Sequence, residues 1–257
     1  MSGGEAWEAF QARRHRLEPP LCPTPGVIAA MRDVVGDPAK PILLLGVTPA
    51  IVAAFDNLVV IDWSAAARGV VADARPLDGD WLDPQLDDAS IGGALGDGSL
   101  TCLSWPDGYA RLFATLARLL VPGAKAAIRC YAAPERTDAP DALVAEAFAG
   151  RGGGFAAFKW RLAMAMAHDP NVPVVAIRQS FDGLVPDRDA LAAATGWTRA
   201  AIDDVDAYGR VDLTYSFPTR GQLLDCARPY FPTAEFVETE GYELAERCPL
   251  LVLRQKA

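Results

Sequence analysis

The chain has 257 residues, of which 51% are hydrophobic and 22% charged, enough for one large domain with a sizeable apolar core. Its 33 acidic and 24 basic residues give a net charge of −9, so general binding to a phosphate backbone is disfavoured. Five widely spaced cysteines without a C-x-x-C pair argue against a disulfide framework or a zinc site, and the absence of a signal peptide and of a long apolar run predicts a cytoplasmic protein without a membrane partner.

Up to residue 131 the chain alternates short apolar runs with helical patterns. The runs are continuous, as expected for strands that are buried on both faces of a parallel sheet. Predicted strands lie at 41–46, 58–62, 69–72, 91–95 and 124–131, and helical patterns at 5–17, 25–36, 49–55, 64–68 and 109–120. This alternation predicts an α/β fold with a doubly wound, Rossmann-like sheet that is mostly parallel.

After residue 131 the pattern changes to a Pro-, Asp- and Gly-rich stretch that ends in Gly152-Gly153-Gly154. Helices are predicted at 155–168, 187–195, 198–207 and 219–228, with Thr198 as an N-cap. Two β-rich runs, 235–240 and 249–253, finish the chain. Because the connection between these runs is short, they are predicted to form an antiparallel pair.

Polar residues follow the predicted strands at the edge where doubly wound sheets bind ligands. The carboxylate of Asp62, after the second strand, can accept two hydrogen bonds from a ribose diol, which suits any adenosine-containing cofactor. The alternative for Asp62 is an N-cap, although Ser64 can fill that position itself. Asp80 can accept a hydrogen bond from an adenine amine or can be an exposed loop acid, and Asp97-Gly98 alone can be an ordinary tight turn.

Taken in order, these segments resemble class I S-adenosylmethionine-dependent methyltransferases. The resemblance rests on 42–49 (ILLLGVTP), 59–64 (VVIDWS), Gly79-Asp80-Trp81, Gly96-Asp97-Gly98-Ser99 and the Pro122-Gly123 pair before the fifth strand. Each motif is weak alone, and the order and spacing make the set fairly specific. The motifs span roughly residues 41–131, and the similarity in fold extends to the C-terminus.

The resemblance implies S-adenosyl-L-methionine as the cofactor, held at four successive strand ends. Residues after the first strand would lie against its methionine part, and those after the second and third would hold the ribose and flank the adenine. Residues after the fourth would line the pocket near the amino group and the sulfonium. The implied cofactor-binding residues are Gly46, Thr48, Asp62, Trp63, Asp80, Trp81, Asp97, Gly98 and Ser99.

The first loop departs from the family pattern. Leu44 stands where the family has an acid, and Val47-Thr48-Pro49 replaces the later glycines. The chain also lacks the Gly-x-Gly-x-x-Gly needed to seat a pyrophosphate on a helix N-terminus, so an NAD enzyme is disfavoured. The altered loop keeps an alternative open, a methyltransferase-like binding or regulatory protein without catalytic activity.

The sequence thus predicts methyl transfer to a small-molecule acceptor by in-line displacement, with no metal and no assignable general base. The two histidines, His15 and His168, are more easily explained as an exposed residue and a helix cap than as bases. The sequence predicts neither the oligomeric state nor which atom of the acceptor is methylated. An aromatic and Met-rich helix at 155–168 would favour an apolar or aromatic acceptor.

The chain is predicted to be a single domain in four parts. These are an N-terminal helical cover (1–40), a cofactor-binding core (41–131), an acceptor-recognition or lid region (132–218) and a C-terminal helix and strands (219–257). One hypothesis is that the N-terminal segment folds over the site and offers Arg13, Arg14 or Arg16 to the cofactor carboxylate. The alternative is an amphipathic helix on the surface.

Overall fold

A computed structural model describes residues 17–210 and 212–257. The predicted helix at 5–17, with its three arginines, therefore lies outside the described residues except for its last position. The strands are β1 (Ile42–Leu45), β2 (Leu58–Ile61), β3 (Ile91–Asp97), β4 (Leu120–Arg129), β5 (Asn171–Pro173), β6 (Thr214–Ser216), β7 (Thr233–Val237) and β8 (Leu250–Arg254). The helices are α1 (Pro25–Val35), α2 (Pro49–Val52), α3 (Ala65–Val70), α4 (Asp107–Leu119), α5 (Pro140–Phe148), α6 (Phe155–Met166), α7 (Val174–Leu184), α8 (Arg188–Thr195), α9 (Arg199–Asp203) and α10 (Arg220–Ala227).

Six strands form the main sheet in the order β2-β1-β3-β4-β8-β7. β1 pairs in parallel with β2 and β3, and β3 pairs in parallel with β4. β8 runs antiparallel to both β4 and β7. The prediction of a mostly parallel Rossmann-like sheet with an antiparallel C-terminal pair is confirmed.

Both faces of the sheet are covered, because side chains alternate between them along each strand. On one face Leu43 and Leu45 pack with the apolar stripe of α4 and with α10. On the other face Ile42 and Leu44 pack with α1, α2 and α3. The first strand is buried along its whole length, which explains its unbroken run of leucines.

The predicted strand at 69–72 is wrong. Ser64 caps α3 by accepting a hydrogen bond from the Ala67 N–H at 3.1 Å, and the alanines that follow favour helix. A short 3₁₀ helix, Ala72–Ala74, comes next. The place beside β2 is taken by a single parallel bridge between Ile61 and Leu77, which still brings the next loop to the sheet edge.

The segment between β4 and α10 forms a further hydrophobic cluster, separate from the two on the faces of the sheet. It contains α5 to α9 and the β5–β6 ribbon. The N-caps are as the sequence indicates, since Thr198 accepts from the Ala201 N–H and Thr219 forms a capping box with Gln222. Sequence patterns missed α5, α7 and the ribbon. α5 lies inside the Pro-rich stretch, and α7 begins with two valines that resemble a strand.

Candidate functional site

The strand register brings the predicted site residues to one edge of the sheet. Leu45 pairs with Ile61 on one side and with Gly96 on the other, and Asp97 pairs with Arg129. The loops that follow β1, β2 and β3 are therefore adjacent. This is the carboxyl edge, where ligands of doubly wound sheets bind.

Asp62 joins the loops after β1 and β2. Its side chain is buried, with Oδ2 accepting the Val47 N–H at 3.0 Å and Oδ1 accepting the Ser64 N–H at 2.8 Å. Ser64 caps the helix itself, so Asp62 is not needed as the N-cap. A carboxylate oxygen has two lone pairs, which leaves Asp62 able to accept further hydrogen bonds.

Trp81 packs directly over the turn at Gly46. The φ angle of Gly46 is 84°, and a Cβ added there would lie 2.9 Å from Cζ2 of the indole. The indole Nε1–H donates to the Ile61 carbonyl at 2.8 Å, which holds the ring in place. Gly46 therefore meets two requirements, a left-handed backbone and a close approach by an aromatic ring.

Two other predicted residues on this side lie at the surface. Trp63 is 56% exposed, beside buried Asp62. Asp80 is exposed, and its Oδ1 accepts the Leu82 N–H at 2.9 Å in a local turn. Their positions are adjacent to the loops of β1 and β2, while their roles toward an adenine remain predictions.

Asp97 forms a buried ion pair that sequence reasoning missed. Nε of Arg129 lies 2.5 Å from its Oδ1, and the Arg129 side chain is 0% exposed. The guanidinium also faces the rings and hydroxyls of Tyr131 and Tyr242. Burial alone lowers the pKa of Arg129. The interactions with Asp97 and Tyr131 raise it by more, so the pKa of the guanidinium lies above its ordinary value. The sequence did contain one signal for this pair, since Arg129 is a charged residue directly after the apolar run 126–128.

A cleft of about 110 Å³ opens beside Asp97. It is lined by Leu17, Leu21, Cys22, Pro23, Thr48, Pro49, Ala50 and Asp97. The Tyr131 hydroxyl donates to the Pro20 carbonyl at 2.7 Å and so fixes the covering segment, residues 17–23. Burial and the nearby Asp97 carboxylate raise the pKa of the Cys22 thiol.

Of the remaining predicted residues, Thr48 lines this cleft, and Gly98 and Ser99 follow Asp97 directly in the chain. Thr48 is buried, and its side chain makes no capping hydrogen bond to α2. Gly98, with a φ of 67°, donates its N–H to the Arg129 carbonyl at 2.9 Å. The Ser99 hydroxyl is buried and has no hydrogen-bond partner among the residues that the structure describes, which is unusual for a buried polar atom.

A larger cavity of about 520 Å³ lies on the other side of Leu17 and Leu21, which line both spaces. The other lining residues are Glu18, Pro19, Gly154, Phe155, Ala156, Lys159, Trp197, Thr198, Ala201, Asp204 and Glu243. His168 lies outside this set, exposed two residues beyond the end of α6. The covering segment thus separates the cleft from the cavity.

The described residues offer neither a metal site nor a membrane span. Across 17–210 and 212–257, no three His, Cys, Asp or Glu side chains are grouped so that they could hold a metal ion. Within the same ranges, no helix combines the length and the hydropathy that crossing a membrane requires.

No protein-family model matches the chain, and no curated protein matches its sequence. Solved structures do share its fold. The Burkholderia thailandensis 1,6-didemethyltoxoflavin-N1-methyltransferase, solved with 1,6-didemethyltoxoflavin and S-adenosylhomocysteine, is similar with a TM-score of 0.53 and 12% identity over 98% of this chain and 88% of that one.

Two further structures give the same result. DesVI of Streptomyces venezuelae is similar with a TM-score of 0.52 and 11% identity, over 100% of this chain and 99% of that one. An S-adenosylmethionine-dependent methyltransferase of Methanosarcina mazei is similar with a TM-score of 0.51 and 13% identity, over 91% of this chain and 99% of that one. The chain has the fold of class I methyltransferases.

Proposed function

We propose that the chain transfers a methyl group from S-adenosylmethionine to a small-molecule acceptor. The observation that carries the proposal is the carboxyl edge of the sheet, where Asp62, Thr48, Asp97 and an unpartnered Ser99 hydroxyl lie around the ends of three adjacent parallel strands. The fold supports it as well, since the Burkholderia relative of this fold carries S-adenosylhomocysteine and a small acceptor.

The residues present fit such a cofactor. Asp62 would accept hydrogen bonds from the ribose hydroxyls with its remaining lone pairs. Trp63 and Trp81 would offer aromatic faces to the adenine. Ser99 would supply the unpartnered hydroxyl to the methionine end, next to Thr48. Because Arg129 already neutralises much of the charge on Asp97, Asp62 would contribute most of the negative charge that favours a cationic cofactor.

When bound, S-adenosylmethionine supplies a methyl group on a sulfonium that an acceptor atom displaces in line. The chain's own contribution is positioning and exclusion of water. The segment 17–23 covers the cleft with Leu17, Leu21 and Pro23 and carries out the second task. No residue is assigned as a general base.

The size of the cleft adds a requirement. About 110 Å³ is well below the roughly 300–1,000 Å³ typical of small-molecule pockets. The cleft alone is therefore too small for a whole cofactor, whose adenosine part would lie outside it, near Asp62 and Trp63. Movement of the covering segment would enlarge the cleft, and the Tyr131 hydrogen bond to Pro20 is one of the contacts that would then break.

A second candidate is a protein of the same fold that binds a nucleoside ligand without catalysis. Leu44 in place of the family's acid and Val47-Thr48-Pro49 in place of glycines favour this candidate. It predicts cofactor binding without turnover, which separates it from the first proposal.

Isothermal titration calorimetry with S-adenosylmethionine tests the proposal. We expect the Asp62→Asn variant to bind at least about tenfold more weakly than the wild type, because an amide offers fewer acceptor sites to the ribose. Asp88→Asn, which removes an exposed carboxylate paired with Arg118, is the matched control and keeps wild-type affinity.

Turnover of S-adenosylmethionine with a panel of small-molecule acceptors then decides between the two candidates. Product formation supports the enzyme, and binding without product on any acceptor supports the non-catalytic protein. No binding at millimolar cofactor would reject both.

A further inference from the structure

The cavity of about 520 Å³ contains one lysine in an aromatic setting. Lys159, on α6, is 4% exposed and lines the cavity beside Phe155 and Trp197. Its Nζ lies 6.0 Å from the ring centre of Phe155 and 5.2 Å from that of Tyr208. The ammonium therefore faces two aromatic rings and the cavity.

No carboxylate of residues 17–210 or 212–257 forms an ion pair with Lys159 within 4 Å. The other buried cation, Arg129, has such a partner in Asp97. Removing an ammonium from water is costly, and contacts with aromatic rings offset only part of that cost. An unpaired cation on the wall of a cavity is a site for an anion from outside the chain.

Three carboxylates line the same cavity, and none of them lies within ion-pair distance of Lys159. Oε2 of Glu243 accepts the Gly154 N–H at 2.8 Å and sits at the N-terminal end of α6, where the helix dipole favours negative charge. Asp204 is exposed, and Glu18 lies on the covering segment. The three carboxylates make the rest of the cavity unfavourable for a ligand with several negative charges.

We propose that this cavity holds the methyl acceptor and that Lys159 binds a single anionic group, of the carboxylate class, carried on a small aromatic body. The aromatic part packs against Phe155 and Trp197, and the anion pairs with the ammonium. The assignment of the ligand as the acceptor rests on the proposed methyltransferase function. The anion subsite itself does not, because it can be tested without the cofactor.

The test uses 4-hydroxybenzoate as the anionic probe and its methyl ester as the neutral probe of nearly the same shape. Ligand-observed NMR and calorimetry measure both affinities for the wild type and for the Lys159→Met, Lys159→Arg and Lys256→Met variants. Lys159→Met keeps an apolar stem and removes the charge, Lys159→Arg restores the charge, and Lys256→Met removes a charge at an exposed position.

We expect the wild type to bind the acid at least about tenfold more tightly than the ester. Lys159→Met should lose that preference, with the ester unaffected, while Lys159→Arg and Lys256→Met keep it. Equal affinities of the acid for the wild type and Lys159→Met would overturn the proposal, as would no detectable binding of the acid at about 10 mM. If Lys159→Met does not fold, the acid-over-ester preference of the wild type and of Lys159→Arg decides the outcome.

Failure here is distinguishable from failure of the proposed function. Acid binding through Lys159 without any affinity for S-adenosylmethionine would leave the anion subsite standing and reject the methyltransferase. Cofactor binding without the acid preference would do the reverse.

Discussion

The two cavities place charge in opposite ways. At the sheet edge the buried charges already have partners, since Asp62 is bound by two backbone N–H groups and Asp97 by Arg129. In the larger cavity the buried ammonium of Lys159 faces two aromatic rings and, within residues 17–210 and 212–257, forms no ion pair with a carboxylate. The first arrangement is organised before any ligand arrives, whereas the second would be completed by the anionic ligand that we propose. This difference suits a fixed cofactor on one side and a selected substrate on the other.

The largest expected effect tests the organisation of the sheet edge. Arg129→Met leaves the buried Asp97 carboxylate without its partner and should lower the free energy of unfolding by about 3–5 kcal/mol. Urea denaturation followed by circular dichroism measures it. The double variant Arg129→Met/Asp97→Asn should recover part of the loss, since it removes the stranded charge. A loss below about 1 kcal/mol in the single variant would mean that the pair does not organise this edge.

A smaller effect separates backbone strain from close packing. Gly46→Ala places a Cβ at a positive φ and 2.9 Å from Trp81, whereas Gly196→Ala has a similar φ of 75° at the end of α8 with nothing within 4 Å. Both should lose about 1–2 kcal/mol of stability from the backbone term.

Only Gly46→Ala should also displace the indole, which a shift in near-UV circular dichroism and weaker S-adenosylmethionine binding would report. Identical behaviour of the two variants, by both measurements, would mean that the close approach of Trp81 has no consequence at the site.

The smallest effect concerns the ion pairs that Asp138 forms with Arg161 and Arg247. Burial raises the pKa of Asp138, but hydrogen bonds from Arg161 and Arg247 lower it more, so the net pKa lies below its ordinary 3.8. A carboxyl group whose pKa is lowered by folding stabilises the fold above its unfolded pKa and loses this contribution as the pH falls through its folded pKa.

Asp138→Asn should therefore be less stable than the wild type at pH 7. The loss should be no more than about 1 kcal/mol, because the ion pairs of Asp138 are partly solvated. The difference should begin to shrink as the pH falls below about 4 and should vanish only below the lowered pKa of Asp138 in the folded protein. Thermal unfolding across this pH range measures the difference, and a gap that stays constant down to pH 2 would argue against an electrostatic origin.

The sequence was sufficient wherever local patterns decide structure. Buried apolar runs predicted β1, β2 and β3, and single Thr residues predicted the starts of α9 and α10. The error at 69–72 arose because two adjacent valines favour a strand, while the capped alanines before them decided for helix. The valines favour a strand and the alanines favour a helix. In the folded protein the bridge between Ile61 and Leu77 stands in the place of the predicted strand.

The candidate site divides in the same way. Positions at strand ends, such as Asp62 and Asp97, could be predicted because the edge of a parallel sheet is fixed by topology. The pairing of Asp97 with Arg129 depends on the register between β3 and β4, and the setting of Lys159 depends in part on the ring of Tyr208, from a distant part of the chain. Such contacts between distant parts of the chain leave no periodic signal in one sequence.

Leu17 and Leu21 form a shared wall, and this has a thermodynamic consequence. A ligand in the cleft that displaces the wall changes the volume and the lining of the cavity on its other side. The two binding equilibria are then linked, and each ligand changes the affinity of the other by the same factor. Cooperativity, positive or negative, would thus be built into two apolar side chains.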